Sequence, residues 1–261
     1  VVGLRKALST ITGHDEHFVV EAPEGWTQGR TLYGGITAAL CAEVSLRRFP
    51  GLPPLRSAQF AFIGPASGTL RLEPQLLRQG RSATITSVDC YAGDNLAARA
   101  IFTYGATRES RVAHDFAQVP EVPAPDTSES LHGAGTPGFF HNFDIRLAAG
   151  ERHLSGSKEP WMLAWVRHRD DEGVDPAVSF LALADALPPA AMITLSEPAP
   201  ISTMTWHVDL CEQPPAQPGS WFLLRTSSEH AAEGYSQQIM EAWDNTGARI
   251  ATGHQTVAIF G

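Results

Sequence analysis

The chain has 261 residues, enough for one large domain or two of ordinary size, which excludes peptide-like and disulfide-stapled folds. Nineteen Lys and Arg against 28 Asp and Glu give a formal charge of −9, the wrong sign for a surface that neutralises phosphates, so no nucleic-acid partner is expected. Hydrophobic residues at 43% and charged residues at 18% sit near the globular average, so the chain can bury a core.

No apolar run reaches the roughly 18 residues of a membrane span, the nearest approach around Val178 to Leu187 being broken by Asp185. Residues 1–13 carry Arg5 and Lys6 without the apolar stretch of a signal peptide. Cys41, Cys90 and Cys211 form no C-x-x-C pair, which argues against a disulfide framework and a zinc site and suits a cytoplasmic protein.

In chain order, a segment around Trp26 and the run GRTLYGG lead into ITAALCAEVSLRRF, whose Ile36, Leu40 and Val44 recur at helical spacing before Pro50 and Gly51 stop them. Strands are expected in RSAQFAFI, in GTLRLEPQLLRQGRSATITSVDCYA with a turn at Arg78 to Arg81, and in NLAARAIFTYG. From Ala106 to Pro137 the texture changes to Pro, Ser, Asp and Glu without period, a linker signature. The order then repeats: a Trp161 and Trp165 segment, a helical VSFLALADALPPAA, and strands in ISTMTWHVDL, GSWFLLRTSSEH and residues 234–261. Two collinear halves, 1–105 and 138–261 about a linker at 106–137, point to a duplicated α+β unit in which a helix lies on a curved antiparallel sheet.

GRTLYGG before the first helix, LADAL in the second, ISTMTWHVDL and the C-terminal WDNTGARIATGHQTVAIF together resemble the double hot-dog acyl-CoA thioesterases of the type II class. The resemblance covers nearly the whole chain outside the linker. It implies an intramolecular pseudo-dimer, an acyl-CoA substrate, no cofactor, and hydrolysis to free fatty acid and coenzyme A.

Strand alternation puts Ala251, Gly253, Gln255, Val257 and Ile259 on one face, with Gln255 the lone polar side chain, so its amide needs a designated partner. Asp185 is the lone carboxylate of an apolar helix whose course must change at Pro188 and Pro189. In ISTMTWHVDL, alternation assigns Met204, Trp206, Val208 and Leu210 to the core and Thr203, Thr205, His207 and Asp209 to the other face. The resemblance implies a catalytic Asp, Thr and Gln that fall on Asp185, Thr203 and Gln255, with Ser202 or Thr205 as substitutes for the Thr if the register shifts. It also places Tyr33, Gly34 and Gly35 beside the acyl pocket, where two glycines allow close backbone approach to a substrate at a helix start. Tyr33, Phe60, Phe62, Met204 and Trp206 are candidate pocket walls.

Aligning the last strands of the halves sets Ile101 against Gln255, so one polar site per chain is expected. Arg47 and Arg48, or Arg78 and Arg81, could meet coenzyme A phosphates. The cluster HDEH at 14–17 suggests a metal, but neighbours on a strand point to opposite faces and no metal is expected. A hot-dog enoyl-CoA hydratase resembles an Asp followed five positions later by His, a pair this chain lacks. A non-catalytic acyl-binding protein is the other alternative, and the sheet edges leave room for a homo-oligomer.

Overall fold

The computed structural model describes every residue except 1, 15, 117, 134, 135 and 261, together with all side chains of those residues but that of His14. The first half runs α1 (Leu4–Ser9), β1 (Thr12–His14), β2 (His17–Glu21), β3 (Thr27–Gln28), β4 (Thr31–Leu32), α2 (Gly34–Arg48), β5 (Leu55–Phe62), β6 (Thr69–Gln79), β7 (Ala83–Ala92) and β8 (Asn95–Gly105). The second runs β9 (Glu129–Ser130), β10 (Phe143–Gly150), β11 (Trp161–His168), α3 (Pro176–Ala184), β12 (Ile201–Leu210), β13 (Phe222–Ala232), β14 (Tyr235–Asp244) and β15 (Arg249–Ile259). This is the hot-dog architecture twice over: a long helix against a curved antiparallel sheet in each half.

The halves form one continuous sheet in the order β1-β2-β6-β7-β8-β5-β12-β15-β14-β13-β11-β10-β9. Its seam is the antiparallel pair β5 and β12, where Phe60 lies opposite Trp206 and Ala58 opposite Val208. Phe60 stacks on Trp206 with centroids 5.1 Å apart, so the seam is closed by side chains as well as by backbone. Each half thereby covers the edge strand that the other would leave open.

Helix α2 is apolar nearly all round, with Ile36, Ala38, Ala39, Leu40 and Cys41 all buried, because it is sandwiched between the sheet and α3. It ends with Arg47 and Arg48 in its last turn, ahead of Pro50. Helix α3 begins on the Asp175 carboxylate, which accepts from Ala177 N at 2.9 Å and Val178 N at 3.4 Å. It stops at Asp185, and Pro188 and Pro189 lead into a 3₁₀ turn at Ala190–Thr194. The change of course expected beside Asp185 is therefore present.

The segment between the halves straps the outer face of the second half. Trp165 Nε1 donates to Pro123 O at 2.9 Å, Arg146 Nη1 to Pro125 O at 3.0 Å, and β9 pairs with β10. Val122 packs there against an apolar cluster of Leu163, Trp165, Leu223 and Trp243. No helix among the described residues is long and apolar enough to cross a membrane.

Candidate active site

Gln255 lies where alternation places it, buried on the inner face of β15 with Gly253 and Val257. Its Nε2 donates to Asp185 Oδ1 at 2.5 Å, across 70 residues of sequence. The orientation of that amide is fixed by a relay that starts at a backbone group able only to donate. Ala190 N–H donates to Gln238 Oε1 at 2.7 Å, Gln238 Nε2 donates to Gln255 Oε1 at 3.0 Å, and Gln255 is left with its N–H aimed at the carboxylate. Gln238 escapes the sequence reading, although β14 carried the same signal as β15: Ser236, Gln238, Met240 and Ala242 alternate as its buried face, with one long amide among them.

Asp185 is partly buried, its carboxyl group held between Gln255 and the start of α2. Desolvation pushes its pKa from 3.8 up to about 7, against the opposing effect of hydrogen bonds from Gln255 and from the Gly35 backbone N–H. The Gly35 bond comes from the first turn of α2, so the carboxylate of the second half sits against the helix start of the first. The N-cap residue of α2, Tyr33, makes no side-chain capping bond, so the first-turn amide of Gly35 is met by Asp185 from the other half, whereas α3 is capped by its own Asp175.

The two glycines are required by closeness. A Cβ at Gly34 would come within 2.6 Å of Asp185 Oδ2 and 3.2 Å of Phe62 Cζ; one at Gly35 would meet Tyr33 Oη at 2.5 Å and Ala182 O at 2.6 Å. Tyr33, expected as a substrate contact and pocket wall, is instead only 1% exposed. Its hydroxyl donates to Ala182 O at 3.0 Å and its ring stacks on Phe139 at 4.1 Å, which ties the start of α2 to α3. Burial, and secondly the nearby Asp185 charge, raise its pKa well above 10, so it stays a neutral phenol.

Thr203 shares the inner face with Gln255, against the alternation expected for β12. Thr203 lies opposite Val257 and Thr205 opposite Thr256, so Met204 is an extra, unpaired residue in a bulge that inverts the phase of the strand. Met204, expected in the core and as a pocket wall, is consequently 43% exposed, whereas Trp206, Val208 and Leu210 are buried. Ser202, opposite Ala258, and Thr205, opposite Thr256, face away from Gln255. Thr203 is one pleat from Gln255, a spacing of roughly 7 Å.

The first half has no equivalent carboxylate in this position. Ile101, aligned with Gln255 by sequence, pairs with Gln59 on the outer face; the inward residues of β8 are Ala98, Ala100, Phe102 and Tyr104. Buried polar groups of that half include hydroxyls that satisfy one another, Ser45 Oγ and Thr86 Oγ1 at 2.8 Å and Tyr104 Oη donating to Ser45 Oγ at 3.1 Å, while its buried carboxylate, Asp89, is paired with Arg99. Arg47 is not free for a phosphate, since its guanidinium holds Leu8 O, Ile11 O and Glu43. Among the described residues no group of three or more His, Cys, Asp or Glu could hold a metal ion; within HDEH, Asp15 and the His14 side chain lie outside the described residues.

Three solved structures share this architecture over their full length. A hot-dog protein of unknown function from Alicyclobacillus acidocaldarius superposes with a TM-score of 0.89 at 21% identity, covering 100% of this chain and 99% of that one. The tesB protein of Mycobacterium avium subs paratuberculosis gives 0.82 at 17%, covering 99% and 100%. The acyl-CoA thioesterase II TesB2 of Mycobacterium marinum gives 0.76 at 14%, covering 98% of each. At these identities the likeness establishes the fold alone. No curated protein is significantly similar in sequence. Family models match both halves, the acyl-CoA thioesterase N-terminal domain over residues 22–105 and the acyl-CoA thioesterase C-terminal domain over residues 116–259. With its two halves matched in order, the chain belongs to the acyl-CoA thioesterase family and has the double hot-dog fold.

Proposed function

We propose that the protein hydrolyses acyl-CoA thioesters to the free acid and coenzyme A, with Asp185 as the base that activates water and with Gln255 and Thr203 holding that water. The observation that carries the reading is the 2.5 Å bond from Gln255 to Asp185, a carboxylate that also accepts from the Gly35 N–H at the start of α2. A carboxylate whose pKa is lifted to about 7 is about half ionised at neutral pH and accepts a proton far more readily than an ordinary one. The water oxygen adds to the thioester carbon while its proton passes to Asp185. The negative charge that develops on the carbonyl oxygen meets the positive end of the helix, where first-turn amides face it. When the C–S bond breaks, the proton on Asp185 returns to the departing sulfur, which restores the carboxylate.

No covalent intermediate is needed in this scheme. Ser179 lies beside a histidine and an aspartate, but His168 Nε2 contacts its carbonyl oxygen and not its Oγ, which donates to Asp171, so no Ser-His pair is formed there. In this proposal Tyr33 acts by placing Gly34 and Gly35, and the first half supplies the helix start while the second supplies the base.

Release of free thiol from short, medium and long acyl-CoAs, with Asp185→Asn beside the wild type, tests the proposal. Turnover of at least one chain length, reduced about a hundredfold or more by the substitution, is expected. Binding of acyl-CoA without turnover at any length would overturn it in favour of a carrier.

A further inference from the structure

Between α3 and the inner face of the second half lies a narrow, partly open cavity walled by Phe180, Ala184, Leu187, Met240 and Gly253 among others. It starts beside the site just described. Ala184 immediately precedes Asp185, and Gly253 lies one pleat along β15 from Gln255.

Besides Arg225, Glu241 and Thr252, two buried polar side chains line this space, Trp206 and Thr226, each about 1% exposed. Neither Trp206 Nε1 nor Thr226 Oγ1 has a hydrogen-bond partner among the described residues. A buried donor left unpaired is destabilising, and a wall meant only for hydrocarbon would be served as well by Phe and Val. The indole N–H lies over Gly253, where a Cβ would be 3.6 Å from Trp206 Nε1. Thr226 occupies the same row across the sheet, opposite Met240, which is itself opposite Gly253. The two unpaired groups therefore lie on one row across the sheet, Trp206 at its β15 end, one pleat from Gln255, and Thr226 two strands further across on β13.

We infer that this cavity receives an acyl chain bearing a hydroxyl or carbonyl oxygen beyond its first few carbons, with Trp206 Nε1 donating to that oxygen and Thr226 serving one carried further across the sheet. The inference rests on the reading of Asp185 and Gln255 as the hydrolytic site. One pleat is roughly 7 Å, which an extended chain covers in roughly five C–C bonds, so the first oxygen belongs near C6 of the acyl group. A site with a buried donor discriminates strongly against the analogue that lacks the oxygen, because that analogue leaves the donor unpaired.

The test compares octanoyl-CoA with 6- and 7-hydroxyoctanoyl-CoA, both as substrates and, as non-hydrolysable thioethers, as ligands measured by calorimetry. At least one hydroxy chain is expected to exceed octanoyl about tenfold or more in kcat/KM and in affinity, and Trp206→Phe is expected to bring both ratios towards one. Thr226→Val, close in shape to the native residue, gives a second reading if the tryptophan variant does not fold. Ratios near one for both hydroxy chains in the wild type, or ratios unchanged in both variants, overturn the inference while octanoyl turnover leaves the thioesterase reading standing. No turnover of any chain, with the binding preference intact, overturns the thioesterase reading and supports the assignment of the cavity.

Discussion

Asp185→Asn separates catalysis from stability in a single protein. The wild-type carboxyl titrates near 7 in the folded state, against 3.8 ordinarily, so the folded protein binds more protons than the unfolded chain between about pH 4 and pH 7. Stability contributed by the neutral acid is full below pH 4 and falls as pH rises through that window. At about 1.4 kcal/mol per pH unit the gap costs the ionised protein roughly 4 kcal/mol above pH 7. Asparagine does not titrate. It still accepts from Gln255, but its NH₂ then faces the Gly35 amide, a mismatch of roughly 1–3 kcal/mol that does not change with pH. Melting curves of both proteins from pH 4.5 to 8.5 should therefore diverge in favour of the variant by roughly 3 kcal/mol, or roughly 6–12 °C for a chain of this size. The inactive variant is expected to be the more stable protein at pH 8.5. Parallel curves across the range would refute the raised pKa, and with it the account of Asp185 as a base poised near neutrality.

In the wild type, kcat/KM is expected to rise tenfold per pH unit on the acid side and level off near pH 7; a limb near pH 4 would point to a different titrating group. Gln255→Met removes a hydrogen bond that lowers the Asp185 pKa, so that limb should move to higher pH while kcat falls, as a pH–rate profile would detect. Gln238→Leu leaves Ala190 N–H buried without its acceptor and frees Gln255 to turn, so a loss of roughly 1–3 kcal/mol in denaturant unfolding is expected, with kcat reduced more than KM is raised. Gly35→Ala drives a methyl against the Ala182 carbonyl at 2.6 Å, and a melting point lowered by the equivalent of roughly 1–3 kcal/mol should follow; an unchanged one would mean that the helix start yields freely.

Gln255 and Asp185 could be picked out from the sequence because each is a single polar group in a regular apolar pattern, and regular backbone makes such a pattern readable. Their contact could not be read, since 70 residues and the whole strand order separate them. Thr203 was matched by family resemblance while alternation argued against it. The bulge at Met204 reconciles the two, and a one-residue irregularity leaves no mark in composition. Ile101 was off by one for a related reason: a period of two makes any single-residue misalignment point to the wrong face. The strand at Trp161–His168 shows no alternation, because Met162–Val166 are buried on both faces, and Phe143–Gly150 alternates only over its first five residues before Ala-Ala-Gly.

The seam between β5 and β12 turns what could be a symmetric dimer into one covalent chain, and that changes what each half is free to become. In a dimer of identical subunits every substitution appears twice, so a carboxylate that weakens the fold would weaken it at two places. Here the burden falls on Asp185 alone, while the first half fills its own interior with the mutually satisfied Ser45, Thr86 and Tyr104 and the start of α3 is closed by Asp175. One covalent chain can thus carry the carboxylate in one half and the helix start that meets it in the other, an asymmetry that a dimer of identical subunits would have to duplicate.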